Sequence, residues 1–389
     1  MKVKKIFFVT GSRAEFDLVK NLLLLLDKSK IIDLHLIVTS THLSKKFGNS
    51  VNYIRSFKFT NIHLVKTHID KNFNIHNLDS ISNGITKITK IFEKKKPDLV
   101  CVSGDRYEML SSAISAYFLN IPIAHFFGGD VTTGSLDDGT RHVLTKFSNF
   151  HFVNHPINYN RIVQLGEEKR NIFLTNHIGF DSLLNSKLIS KELLLSKLGI
   201  TFKKNVSLIV FHPENSSPDS IKNQAKLICS ALADLKNYTL IFNKPNSDNY
   251  SNIIDKVFLD YVKNNNNAFY IDNLGHQKYL SLLNCVNFII GNSSSGLSEM
   301  PFFSKPTINL GKRQMGRHID YSVINSSFDK LSIIKAIKKS NNKIFLKNIK
   351  TKNTYYNYKT GGSKKTFKIL VNIISKINIL NPINKKFID

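Results

Sequence analysis

Short, almost wholly apolar runs alternate along this chain with longer amphipathic stretches, from the first residues almost to the last. A strand buried on both faces reads as a continuous apolar run, and an amphipathic stretch between two such runs supplies a crossover helix. The alternation therefore predicts βαβ units and parallel sheets, an α/β fold. Lys5–Thr10 predicts a strand, Phe16–Leu26 a helix, and Asp33–Thr39 and Asp98–Ser103 two more strands. Arg106–Leu119 predicts a helix, Ile121–Phe127 a buried strand, Thr140–Phe147 a helix and His151–Val153 a short strand.

A second series follows Gly179. Val206–Phe211, Tyr238–Asn243, Phe269–Ile271, Val286–Gly291 and Thr307–Leu310 read as strands. Ser220–Asp234, Ile253–Asn264, Lys278–Asn284 and Gly296–Phe302 read as helices. Two successive series in 389 residues, 42% of them hydrophobic, suit two Rossmann-like domains facing a cleft, each with its own core. The expected division is 1–178, 179–363 and a segment 364–389. In that last segment a helix, about Lys364–Ile379, follows the Gly361-Gly362 turn, packs back onto the first domain and ends in a basic tail.

Composition narrows the class. No apolar run is long enough to span a membrane. Ile6–Thr10 after Lys4-Lys5 resembles the start of a signal peptide, but Arg13 and Glu15 close the run and no small-x-small cleavage site follows, so a strand is expected. Cys101, Cys229 and Cys285 show no paired spacing, which speaks against a disulfide framework and a zinc site and for a reducing cytoplasm. The net charge of +27 admits an anionic partner such as nucleic acid. Yet the lysines are spread along the chain and no aromatic–basic interleaving accompanies them, so a compositional bias is the plainer reading.

Ligands of open parallel sheets bind at the carboxyl ends of the strands. Five polar stretches fall there. Gly11-Ser12-Arg13-Ala14-Glu15 offers a turn, a helix N-terminus and an arginine to an anion, or is an ordinary strand–helix turn. Ser103-Gly104-Asp105-Arg106-Tyr107-Glu108 places Asp105 where a helix N-cap is the commonest role. His125 to Asp130, then Asp137-Asp138-Gly139-Thr140-Arg141-His142, gathers carboxylates beside a histidine and an arginine. Such crowding raises some carboxylate pKa values and separates acid from base, although Asp137 or Asp138 capping a helix at Thr140 is the structural alternative. His212-Pro213-Glu214-Asn215 and Gly291-Asn292-Ser293-Ser294-Ser295-Gly296 with Glu299 end strands of the second series. The serine-rich loop has the form of a phosphate cradle, with Arg313 downstream.

Taken together, these motifs resemble the hydrolysing UDP-N-acetylglucosamine 2-epimerases, including those acting on 2,4-diacetamido-2,4,6-trideoxy sugars. The resemblance spans most of the chain. It rests on Val9 to Glu15, Gly104 to Glu108, Asn120 to His125 with Gly128-Gly129, and Arg141-His142 with Thr145-Lys146. It continues through Gly291 to Gly296, Glu299 and Gly311 to Arg317. It implies a glycosyltransferase-B-like fold with the active site in the interdomain cleft, a homo-oligomer (dimer or tetramer), and no cofactor or metal. The implied reaction eliminates UDP across C1–C2 of the sugar and hydrates the glycal with inversion at C2. By matching position, Asp105, Asp130 and Asp137 would be the acid–base carboxylates. His212 would act with them, and Arg13, Arg106, Asn246, Ser293, Ser294, Gly296, Glu299 and Arg313 would bind substrate and nucleotide. Asp130 stands where glutamate is frequent and Phe127 where a polar residue is usual, so an apolar surface at Phe126-Phe127 suited to a deoxy sugar is expected. A non-hydrolysing epimerase, a glycosyltransferase and a non-catalytic sugar-nucleotide or nucleic-acid binding protein are the competing readings.

Overall fold

The computed structural model describes residues 3–44, 49–67, 75–132, 136–201, 203–214, 217–245, 250–272, 274–352, 361–377, 385, 386 and 388. It divides into two compact units. One comprises Met1–Val131, Ser135–Leu184 and Thr360–Asp389, the other Thr132–Gly134 and Asn185–Lys359.

The first unit runs β1 (Lys4–Thr10), α1 (Arg13–Asp27), β2 (Ile32–Thr39), α2 (Val51–Arg55), β3 (Asn61–Val65), α3 (Ile75–Lys95), β4 (Leu99–Ser103) and α4 (Tyr107–Phe118). It continues with β5 (Ile123–Phe126), α5 (Leu136–Phe147), β6 (Phe150–Val153), α6 (Pro156–Gln164), β7 (Ile172–Leu174) and α7 (Phe180–Asn185). Its seven strands are parallel, in the order β3-β2-β1-β4-β5-β6-β7. The pleat sends alternate residues to opposite faces. Ile6 and Phe8 enter one core with Leu36, Cys101 and Phe126, whereas Phe7 and Val9 enter the other with Val100, Val102, Ile88, Phe92 and Met109. Because both faces are covered, β1 reads as an unbroken apolar run.

The second unit runs α8 (Lys191–Leu198), β8 (Asn205–Val210), α9 (Pro218–Leu232), β9 (Tyr238–Asn243), α10 (Ser251–Lys263), β10 (Ala268–Ile271), α11 (Gly275–Cys285) and β11 (Phe288–Gly291). It ends with α12 (Ser295–Phe302), β12 (Thr307–Leu310), β13 (Val323–Ser326), α13 (Lys330–Ser340) and α14 (Lys343–Lys352). Its parallel sheet has the order β10-β9-β8-β11-β12-β13, the Rossmann order. Phe211, Phe242, Phe288 and Ile290 pack there against Ile228 and Leu232 of α9 and Phe258 of α10.

The last helix, α15 (Ser363–Lys376), returns to the first unit, where Leu370, Ile373 and Ile374 join the core of α1. Asp181 accepts the Ser363 N–H at 2.7 Å. Of the helix expected over Lys364–Ile379, residues 378–379 lie outside the described residues. In each sheet the strand order reverses between neighbours, β1 and β4 in one, β8 and β11 in the other. These are the switch points at which parallel sheets leave a crevice beyond their strand ends.

Candidate functional site

At the first switch point, α1 is closed by a capping box. Ser12 Oγ accepts the Glu15 N–H at 3.4 Å, and Glu15 Oε2 accepts the N–H groups of Gly11 and Ser12 at 3.0 and 3.1 Å. The amides expected to hold an external anion are thus engaged by the chain's own carboxyl group. Gly11 leaves room for a neighbour, rather than making a sharp turn. A Cβ there would sit 3.1 Å from Glu108 Cδ. Arg13 lies over the Tyr53 ring, 4.8 Å from its centroid, and 3.7 Å from Asp17. These contacts put it beside α2.

Arg106 sits between two buried glutamates. Its Nη2 donates to Glu108 Oε1 at 2.9 Å, and its Nε lies 3.9 Å from Glu15 Oε1. Burial opposes ionisation of Glu108, but the guanidinium outweighs it and holds that carboxyl below the usual range. Glu15 takes the opposite course. Burial first, then the charge of Glu108, pushes it up to about 8. Near neutral pH, Glu15 therefore carries the proton and Glu108 the charge.

Asp105 is not an N-cap. Arg106 occupies the cap position of α4 and makes no side-chain cap bond, while the Asp105 carboxylate pairs with Arg141. Arg141 is 2% exposed, the largest fully buried side chain among the described residues. Its Nη1 donates to Asp138 Oδ1 at 3.0 Å and to the Asp130 carbonyl at 2.9 Å. A buried guanidinium needs such partners. It draws the ends of β4, β5 and α5 to one point.

α5 starts at Leu136, so Asp137 and Asp138 lie in its first turn instead of capping a helix at Thr140. Asp137 reaches solvent, yet its packed surroundings, then the charges of Asp105 and Glu108, raise its pKa. The structure thus gathers Asp105, Asp138 and the Asp130 backbone around Arg141, with Asp137 in electrostatic reach of Asp105, Arg106 and Arg141. Sequence reasoning set Arg141, Glu15 and Glu108 within its candidate stretches but gave none of them a role of its own. The only signal for Glu15 was its spacing of three from Ser12, a capping-box signature. Gly129, with φ 75°, lets the chain pass where a Cβ would stand 2.3 Å from the Asn158 carbonyl. Phe126 stacks on Phe152 inside the core, and Phe127 packs against that core near His177, 5.8 Å between centroids. The apolar surface expected from Phe126 is therefore core.

In the second unit, Asn292 at the end of β11 is the hub. Its side chain accepts the His212 N–H and donates to the His212 carbonyl, both at 2.8 Å. Its own carbonyl accepts from Gln314 Nε2 at 2.7 Å and Arg313 Nη1 at 3.3 Å. Gly291, with φ 144°, permits the approach of β8, since a Cβ would meet the Val210 carbonyl at 1.9 Å. Burial, then the charge of Arg313, lowers His212 to about 3, so near neutral pH its ring is uncharged. Ser294 is the N-cap of α12 without a side-chain cap bond, and Ser293 Oγ accepts the Ser295 N–H at 3.4 Å. Gly296 is accounted for by packing, with a Cβ 2.6 Å from Thr307 Cγ2. Glu299, further along α12, accepts the Ser298 hydroxyl. Asn246 lies outside the described residues.

Residues 25–370 match the family model described as UDP-N-acetylglucosamine 2-epimerase. The GDP/UDP-N,N'-diacetylbacillosamine 2-epimerase (hydrolyzing) of Campylobacter jejuni is 37% identical over 392 residues, covering 100% of each chain. The polysialic acid biosynthesis protein P7 of Escherichia coli is 34% identical, covering 91% of this chain and 90% of its own. Among solved structures, the UDP-GlcNAc 2-epimerase of Neisseria meningitidis bound to UDP-GlcNAc superimposes with a TM-score of 0.78 at 18% identity. That match covers 96% of this chain and 100% of the other, and the glycosyltransferase-B-like fold is common to both.

Proposed function

The chain belongs to the UDP-N-acetylglucosamine 2-epimerase family, and on that premise we propose that it is a hydrolysing 2-epimerase of a UDP-amino sugar. A UDP-2,4-diacetamido-2,4,6-trideoxyhexose is the expected substrate, in line with the activity named for the Campylobacter jejuni relative. The observation that carries the reading is the convergence of Asp105, Asp138 and the Asp130 backbone on the buried Arg141, with Asp137 in electrostatic reach.

The proton on C2 of the sugar is weakly acidic and needs a positioned base, and hydration must return a proton to the same carbon from the other face. Asp105 is assigned the base role. Asp137, which keeps its proton to higher pH than an ordinary aspartate, is assigned the acid. Asp130 completes the carboxylate set and Arg106 binds the substrate beside it. Removal of the C2 proton forms the C1–C2 double bond as the C1–O bond breaks and its electron pair leaves with UDP. Water then delivers hydroxyl to C1 and a proton to C2, giving UDP and a free manno-configured sugar.

Nucleotide binding is assigned to Arg13, Asn246, Ser293, Ser294, Gly296, Glu299 and Arg313, with Glu299 receiving ribose hydroxyls. The uncharged His212 serves as a hydrogen-bonding group at the leaving diphosphate, where preorganised donors act most strongly. Among the described residues, no helix is long and apolar enough to cross a membrane. We place the enzyme in the cytoplasm as a homo-oligomer, without metal or cofactor, feeding nonulosonic acid or surface polysaccharide synthesis. Incubation with UDP-2,4-diacetamido-2,4,6-trideoxyglucose and with UDP-N-acetylglucosamine, followed by NMR of the products, tests this. Free UDP and a free manno sugar are expected, faster from the first substrate. A UDP-manno sugar as product marks a non-hydrolysing epimerase, and no UDP release from either contradicts the reading.

A further inference from the structure

Outside the carboxylate site, a second group of charged side chains in the first unit surrounds Glu167. This carboxylate is buried between the Lys146 ammonium at 2.9 Å, the His151 ring at 3.0 Å and the Lys385 ammonium at 2.7 Å. Lys385 comes from the chain's last residues. Its Nζ also meets the carbonyls of Thr145, Lys146 and Ser148 at 3.1, 2.7 and 2.7 Å. Those carbonyls are the C-terminal end of α5. The last carbonyls of a helix lack intrahelical donors, and the negative end of the helix dipole favours a cation there. A second bond, from the Ile388 N–H to the Gly166 carbonyl at 3.1 Å, holds the same terminal segment next to Glu167.

The opposite end of α5 carries Asp137, Asp138 and Arg141. A short path joins the two ends. Thr145 Oγ1 donates to the Arg141 carbonyl at 3.1 Å and lies 3.3 Å from His125 Nδ1, and His125 Nε2 meets the Gly104 carbonyl, beside Asp105, at 2.8 Å. From these contacts we propose that Lys385 is a positioning residue. Its ammonium clamps the C-terminus of α5 to buried Glu167 and so sets the placement of the α5 carboxylates and Arg141 against Asp105. The consequence for turnover rests on the epimerase reading above; the clamp itself does not.

An ångström of misplacement in a catalytic group costs on the order of a hundredfold in rate. Apart from Arg13 on α1, the nucleotide assignment lies in the second unit, so loosening α5 lowers kcat and leaves KM nearly unchanged. The test compares wild type with Lys385→Met, which keeps the aliphatic length without donors or charge, and with Lys385→Arg, which restores a cation. Hydrogen–deuterium exchange is read on peptides covering residues 137–148 and UDP release on the proposed substrate. The expected result for Lys385→Met is faster exchange in α5, unchanged exchange in α9, and kcat reduced by about tenfold or more at near-constant KM. Lys385→Arg recovers part of both. Unchanged α5 exchange in a folded Lys385→Met protein overturns the clamp. Faster exchange with wild-type kcat overturns the positioning role. Loss of the whole fold, or exchange rising equally in both units, reduces Lys385 to general stability and also counts against the proposal. If wild type releases no UDP while α5 exchange responds as expected, the epimerase reading fails and the clamp stands.

Discussion

Asp105 acquires its setting from Arg141, thirty-six positions along the chain. Its place before a helix made a cap the natural expectation, because local pattern records spacing and not the direction of a side chain. What turned it was a buried guanidinium, whose charge demands carboxylate partners. The reading assigns Asp105 the proton abstraction. Asp105→Asn is therefore expected to lower UDP release by about a hundredfold or more while UDP binds with a near-wild-type Kd in calorimetry. Wild-type turnover in that variant would remove Asp105 from the mechanism. Glu15 offers a separate check. Its folded pKa of about 8 lies above the ordinary 4.5, so the folded state holds a proton that the unfolded chain releases. The associated stability is fully present below pH about 4.5 and is lost as pH rises through about 8. Glu15→Gln keeps an acceptor for the Gly11 and Ser12 N–H groups. It is expected to flatten that decline in urea unfolding measured between pH 5 and 9.

The elements most legible in the sequence were the central strands. β1, β4, β8 and β11 are buried on both faces and read as apolar runs. β3 escaped notice because it is an edge strand whose only buried side chain is Val65. The start of α5 was placed at Thr140 because Asp137-Asp138 resembles a cap. In the fold, Gly139 lies inside the helix, and a Cβ there meets nothing within 4 Å. Gly139→Ala is expected to stabilise the protein by about 0.5–1 kcal/mol, seen as a higher urea midpoint. Gly291→Ala has the opposite sign. Its φ of 144° and the Val210 carbonyl leave no room for a Cβ, so a loss of about 3 kcal/mol or more is expected, with weakened UDP binding as the end of β11 moves. The strand–loop–helix form of Asn292-Ser293-Ser294-Ser295 was readable, but the role of Asn292 was not. Its bonds to His212, Arg313 and Gln314 depend on the end of β8 and on the loop carrying Arg313, both distant in sequence.

At the scale of the molecule, the alternation of strand and helix was enough to read two parallel α/β units, since short crossovers and doubly covered sheets leave few other arrangements. The point of division depends on which helix face finds which sheet, and periodicity does not record that. Burial also sets a property of the whole chain. It is the main cause holding His125 and His212 at about 3 and His42 and His177 at about 4, below the ordinary 6.5. As pH falls below 6.5 the unfolded chain takes up protons that the folded chain refuses. Stability is therefore lost progressively from pH 6.5 toward 3, by up to about 1.4 kcal/mol per pH unit for each such histidine. Urea midpoints at pH 7 and pH 5 are expected to differ accordingly. The central claim, elimination of UDP followed by hydration, is tested most directly by running the reaction in D₂O enriched in ¹⁸O and examining both products by NMR and mass spectrometry. Deuterium at C2 and ¹⁸O at C1 of a free manno sugar, with unlabelled UDP, is the expected result. Protium retained at C2 with ¹⁸O in the released UDP would contradict it.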